Sequence, residues 1–146
     1  MFRKIELTMQ RRADLLACGR LDELVADYVY PLVLYLGDQQ KVIAGPGEMV
    51  GIFNELLQDH RTRGVTHMVA KVTAMDLPRQ GRFRAWVSFH EKGGDQWNLS
   101  RRDVVHYCRD TDHGIMTEMV EYDRWAIPQI WQKPEPPRKA QGRRDS

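Results

Sequence analysis

The chain predicts an α+β fold in which a strongly curved antiparallel sheet wraps around three helices as a cone. Three observations carry this. The apolar residues of the first half recur at three- and four-residue intervals, interrupted by one short strand pair. Four long β-rich segments fill the second half. The loops between those segments are turn-length and rich in Gly, Pro and Asp, so consecutive strands pair as antiparallel hairpins.

The elements follow in order. From Arg3 to Ala17, Ile5, Met9, Ala13, Leu16 and Ala17 make the stripe of an amphipathic helix, ended at Cys18-Gly19-Arg20. Leu21, Leu24, Val25 and Tyr28 restart helical spacing until Pro31 stops it. Leu32–Leu36 and Lys41–Ala44 form a short hairpin across Gly37-Asp38-Gln39. A third helix runs from Glu48 to about Thr62, with Met49, Ile52, Phe53, Leu56 and Leu57 on one side and Gly64 at its end. The long strands are Val65–Met75, Arg82–His90, Gln96–Cys108 and Ile115–Arg124. Residues 1–128 form the domain. Residues 129–146 read as a Pro-rich, basic tail: from Lys133 on, five basic residues against two acidic ones give +3, leaving the rest at −1 of an overall +2.

Composition bounds the function. With 42% hydrophobic and 29% charged residues in 146, this is an ordinary soluble globule of one domain. No apolar run reaches the roughly 20 residues a membrane helix needs, and Met1-Phe2-Arg3-Lys4-Ile5-Glu6 reads as a helix start without a secretory apolar region, so the expectation is a cytoplasmic protein. The positive charge sits in the tail and not on a folded face, which argues against nucleic acid as partner. Cys18 and Cys108 read as buried free thiols. His60, His67, His90, His106 and His113 show no metal-ligand spacing, HExxH is absent, and Gly45-Pro46-Gly47 lacks a phosphate-loop pattern, so neither metal nor cofactor is expected.

Two segments resemble a known superfamily. Cys18-Gly19-Arg20-Leu21-Asp22-Glu23-Leu24-Val25 is similar to a helix junction of nuclear transport factor 2-like proteins, and Gly114–Asp123 to their closing strand. The superfamily includes SnoaL-like cyclases, ketosteroid isomerase, scytalone dehydratase, limonene epoxide hydrolase and dioxygenase β subunits. The resemblance implies a cystatin-like roll with a pocket. It also implies departures: the isomerase base falls on Leu36, its oxyanion-hole acid on Val105 and its tyrosine on Arg12. His67 matches a scytalone dehydratase histidine. Glu121 stands where limonene epoxide hydrolase has an acid, and Arg101-x-Asp103 repeats that enzyme's Arg-x-Asp spacing.

Aligning strand faces by this resemblance turns inward Val65, His67, Val69, Lys71 and Thr73; Phe83, Ala85, Val87 and Phe89; Trp97, Leu99, Arg101, Asp103, Val105 and Tyr107; and Ile115, Thr117, Met119, Glu121 and Asp123. A one-residue slip between the second and third strands would bring in Arg102, Val104 and His106 instead. The expected catalytic set is His67, Asp103 and Arg101, with Asp103 as base and Arg101 polarising a substrate oxygen. Glu121, Phe83, Phe89, Trp97 and Tyr107 are the expected ligand contacts. The duller reading is a cross-strand ladder of Arg101, Asp103 and Glu121. Arg82, Arg84, Arg102 and His106 are expected on the outside, and Trp86, Trp125 and Trp131 as packing anchors. Met68, Ala70, Val72, Trp86, Val104, Val120 and Tyr122 then form an apolar outer face, which predicts a homodimer through the sheet. The implied function is binding, or acid–base conversion, of a small hydrophobic oxygenated metabolite. The alternative is a non-catalytic subunit resembling the dioxygenase β subunits.

Overall fold

A computed structural model describes residues 1–94, 96–123 and 127–131, with the side chains of 96–99 and 129 outside that description. Helix α1 (Phe2–Ala17) and the short α2 (Leu21–Val25) are followed by strands β1 (Tyr28–Leu36) and β2 (Gln39–Ile43). Helix α3 (Pro46–Thr62) precedes β3 (His67–Met75), β4 (Arg82–Gly93), β5 (Gln96–Thr111) and β6 (Gly114–Tyr122). Proline at the first turn of α3 is tolerated because no helical acceptor lies behind its nitrogen.

The six strands make one curved, unclosed sheet in the order β2-β1-β6-β5-β4-β3. The four long strands pair consecutively and antiparallel, as the loops predict. Parallel pairing of β1 with β6 makes the sheet mixed. Edge strand β3 is covered in part by α1, where Gln10 donates Nε2 to the Met68 carbonyl (3.0 Å) and accepts the Ala70 amide on Oε1 (2.9 Å). One side chain thereby satisfies two edge groups that would otherwise invite another strand.

Two clusters share the concave side. Ile5 and Met9 of α1 press on Ala70, Val72, Phe83, Ala85, Val87 and Cys108 and close one end of the cone solidly. The other cluster joins α1, α2 and α3 to Leu32, Leu34, Met68, Val104 and Val120.

The register overturns much of the expected face assignment. Val87 pairs with Val104, Phe89 with Arg102 and Ala85 with His106, so the even-numbered residues of β5 face inward. On β3, Ala70 pairs with Phe89 and Val72 with Val87, which turns Met68, Ala70 and Val72 in and His67, Lys71 and Thr73 out. An extra residue in β6, Glu118, shifts the alternation there. Ile115 and Thr117 lie inside as expected, but Val120 and Tyr122 replace Met119 and Glu121. The cause is elementary. The apolar members of each strand gain most from burial on the helices, whereas Arg101, Asp103, Lys71 and Glu121 keep their charges hydrated.

Six of the seven residues expected to make an apolar outer face therefore belong to the interior, and only Trp86 lies outside. The outer face is instead a lattice of polar pairs: Arg84 with Asp76 (2.8 Å), Arg82 and Arg109 with Glu118 (3.0 Å each) and Tyr107 with Glu121 (2.9 Å). Dimerisation loses the apolar patch that argued for it.

Candidate functional site

Between the helices and the open end of the sheet lies a cavity of about 60 Å³. Its wall is mainly apolar: Leu16 of α1, Leu24 of α2, Leu34 of β1, Met49, Phe53 and Leu56 of α3, and Met68, Phe89, Val104 and Val120 of the sheet. Pro128 and Trp131, the latter in a single 3-10 turn (Gln129–Trp131), close its mouth. Trp131 meets Tyr122 edge-on at 5.6 Å, and its indole N–H is buried without a partner among the described residues.

Polar side chains enter this wall at few points. Arg12, one residue outside the apolar stripe of α1, is nonetheless buried because its donors are taken. Nη1 donates to Thr117 Oγ1 (2.6 Å), Nη2 to the Ile115 carbonyl (2.9 Å) and Nε to Asp27 (3.2 Å). Its guanidinium lies over the Tyr28 ring at 5.1 Å. This cation is structural, bracing α1 against β6.

His106 lies between Phe89 and Tyr28, with ring centroids at 6.2 and 6.5 Å. Burial, with the charge of Arg12 adding to it, pushes its pKa down to about 3, so the ring is neutral at ordinary pH. Nδ1 is 3.2 Å from Thr117 Oγ1. That oxygen already accepts from Arg12, and Cys108 spends its thiol proton on the His106 carbonyl (3.6 Å). In one tautomer the Thr117 hydroxyl donates to Nδ1 and the ring proton sits on Nε2; in the other Nδ1–H donates to Thr117, whose proton turns to Cys108 Sγ (4.0 Å). Nε2 makes no hydrogen bond among the described residues and is the ring atom left for a guest.

At the far rim a buried carboxylate gathers four partners. Glu91 accepts two bonds from Arg63 (2.8 and 3.0 Å), one from Arg102 Nε (3.1 Å) and one from Ser100 Oγ (2.7 Å). His60 Nε2 stands 3.3 Å from Oε2 but out of line for a hydrogen bond, so that contact is electrostatic. Burial alone would raise the Glu91 pKa; contacts from His60, Arg63, Ser100 and Arg102 outweigh it and hold the carboxyl well below its ordinary 4.5. The cluster ties the end of α3 to β4 and β5.

The expected site residues divide. Phe83 and Phe89 face inward; Phe89 lines the cavity, while Phe83 sits in the solid end. Arg101, Asp103 and Glu121 do converge, but in a shallow groove on the outer face, where Asp103 bonds Ser88 (2.6 Å) and Arg101 (3.4 Å). Tyr107 bonds Glu121 on that same face. The duller reading put a cross-strand ladder of these three inside the cavity; here Arg101 and Asp103 pair along one strand on the outer face, and Glu121 pairs with Tyr107 instead. His67 is exposed on β3, away from both. Trp97 and Trp125 lie outside the described side chains. Arg102 and His106, expected outside, are inside, as is Trp131 beside the cavity. Val105, the position matching the isomerase acid, faces outward, which puts that correspondence out of register. Cys108 is buried as expected, but Cys18 is exposed.

Sequence reasoning missed Glu91 because it lay just past the assigned end of its strand, and His60 because, inside its helix, it lay past the last apolar residue of the stripe. Glu91 continues the alternation Phe83, Ala85, Val87, Phe89 by one step. His60 continues the stripe of Phe53, Leu56 and Leu57 by one turn. Both signals were present. Among the described residues no group of His, Cys, Asp and Glu could hold a metal, and no helix is long and apolar enough to cross a membrane.

Solved structures share this arrangement. A domain of unknown function with a cystatin-like fold from Nostoc punctiforme PCC 73102 superposes with a TM-score of 0.64 at 12% identity, over 86% of this chain and 77% of its own. An NTF-2-like protein of unknown function from Shewanella oneidensis MR-1 gives 0.64 at 11%, over 82% and 96%. The chain has the nuclear transport factor 2-like fold. A ketosteroid isomerase-like protein from Erwinia carotovora atroseptica SCRI1043 shares that fold at a TM-score of 0.56 and 12% identity, over 83% and 93%. No protein-family model and no curated protein matches the sequence.

Proposed function

We propose that this nuclear transport factor 2-like chain is a small-molecule-binding protein whose cone holds a compact, hydrophobic guest bearing an acceptor oxygen. The observation that carries this is the neutral His106, whose Nε2 faces a mainly apolar cavity and, in the tautomer that accepts the Thr117 proton on Nδ1, donates to such an oxygen. A few placed polar groups in an apolar concavity are what orient small ligands. The same observation favours binding over acid–base catalysis. A general base works best with a pKa near the operating pH, and the cavity wall carries no carboxylate among its described residues. Asp103, the expected base, serves the opposite face.

The test compares cyclohexanone with methylcyclohexane, two guests of similar size, by amide NMR. Cyclohexanone should perturb His106 and Val120 more strongly, and His106→Phe should erase the difference. Equal responses to both, or none, would refute the reading.

A second reading rests on volume. Small-molecule sites run to about 300–1,000 Å³, against about 60 Å³ here. That favours a non-catalytic subunit whose cone is chiefly scaffold. Absence of any cavity response to cyclohexanone, together with stable association with a larger chain, would select it.

A further inference from the structure

Outside the cone, the C-terminal halves of α1 and α3 and the start of β3 enclose a second groove, of about 310 Å³. Its floor is apolar, made by Leu16, Leu57, Val65 and Met68, all buried. Its rim carries the guanidinium of Arg61 and the imidazole of His67, and no carboxylate lines it. Arg61 makes no ion pair among the described residues, unlike its neighbour Arg63, which is committed to Glu91 and Asp59. Its guanidinium lies at the turn between α1 and α2, with Nη2 3.8 Å from where a β-carbon on Gly19 would sit. Thr66 Oγ1 lies 3.0 Å from His67 Nδ1 and donates to the Lys92 carbonyl (3.4 Å), which holds the ring on the rim.

We infer that this groove is a ligand site for a small amphiphilic carboxylate. The acid group meets Arg61, with the His67 ring beside it, and the alkyl part lies on Leu57, Val65 and Met68. One fixed positive charge beside an imidazole matches a monoanion, and a guanidinium grips a carboxylate through paired N–H donors. The apolar floor supplies the rest of the affinity by removing alkyl surface from water. The site stands apart from the proposed guest of the cone, although Ala13, Leu16, His60 and Met68 form a wall common to both. It also gives a role to His67, which the cone does not use.

The experiment titrates octanoate and, separately, octylamine into the full chain by amide NMR. Octanoate is expected to shift Gly64, Val65, Thr66 and His67, and octylamine is not. Arg61→Glu, at an exposed position whose unchanged spectrum verifies folding, is expected to weaken octanoate about tenfold or more, the size of one charge-assisted hydrogen bond. Arg61→Lys is expected to retain most of the binding. Absence of groove shifts, equal binding of octylamine, or an Arg61→Glu variant that binds octanoate normally would overturn the proposal. Shifts confined to His106 and Val120 would overturn it too, while leaving the cone reading intact.

Discussion

Replacing Glu91 by Gln keeps the shape of a fully buried side chain and removes its charge. Arg63 and Arg102 would then face a neutral amide, and one amide oxygen cannot accept what two carboxylate oxygens accept now. Removing one member of a buried ion pair costs about 3–5 kcal/mol. Arg63 reaches solvent, with 35% of its side chain exposed, so the lower end applies here. At about 2–4 °C per kcal/mol for a chain of this size, a loss of about 3 kcal/mol lowers Tm by about 6–12 °C. The pH dependence gives an independent check. The folded pKa of Glu91 lies below the unfolded value, so between the two the unfolded chain binds the extra proton. The stability that Glu91 contributes is complete above about 4.5 and is lost as pH falls below it. Calorimetry from pH 7 to 3 should show the variant destabilised at neutral pH and converging on wild type in acid. A Tm within about 2 °C of wild type at pH 7, or parallel acid profiles, would refute the reasoning.

Three further outcomes follow from the geometry. A β-carbon on Gly93 would lie 1.9 Å from the Gly64 carbonyl oxygen, so Gly93→Ala must displace backbone and should cost at least about 1–3 kcal/mol in urea unfolding. His106 has a folded pKa below its unfolded value, so its contribution is present above about 6.5 and is lost as pH falls toward about 3; its ring signals should not titrate between pH 8 and 5, and a shift in that window would contradict its burial. Asp103→Asn, on a 45% exposed side chain of the outer face, should change stability by under about 0.5 kcal/mol and leave cyclohexanone binding intact; loss of binding would return Asp103 to the site.

Element order and the pairing of the long strands were legible in the sequence because apolar spacing and turn chemistry are local. Which face of each strand turned inward was not settled by alternation, since both faces of β5 mix apolar and charged residues. Transferring the superfamily's pattern chose the wrong phase. On β3 a direct comparison would have chosen the right face, Met68, Ala70 and Val72 against His67, Lys71 and Thr73; on β5 it would not, since the inward set holds Arg102 and the outward set Arg101 and Asp103. Even so, the extra residue Glu118 in β6 has no local signature, and it alone brings Thr117 and Val120 onto the same side. Arg12 was unreadable for another reason. Its burial depends on Thr117, Ile115 and Asp27, each far from it in sequence.

A crystal structure of the chain soaked with cyclohexanone tests the central claim most directly. The account predicts density between Phe89, His106 and Tyr122, with the ketone oxygen within about 3.2 Å of His106 Nε2. Density only beside Arg101 and Asp103 on the outer face would contradict it.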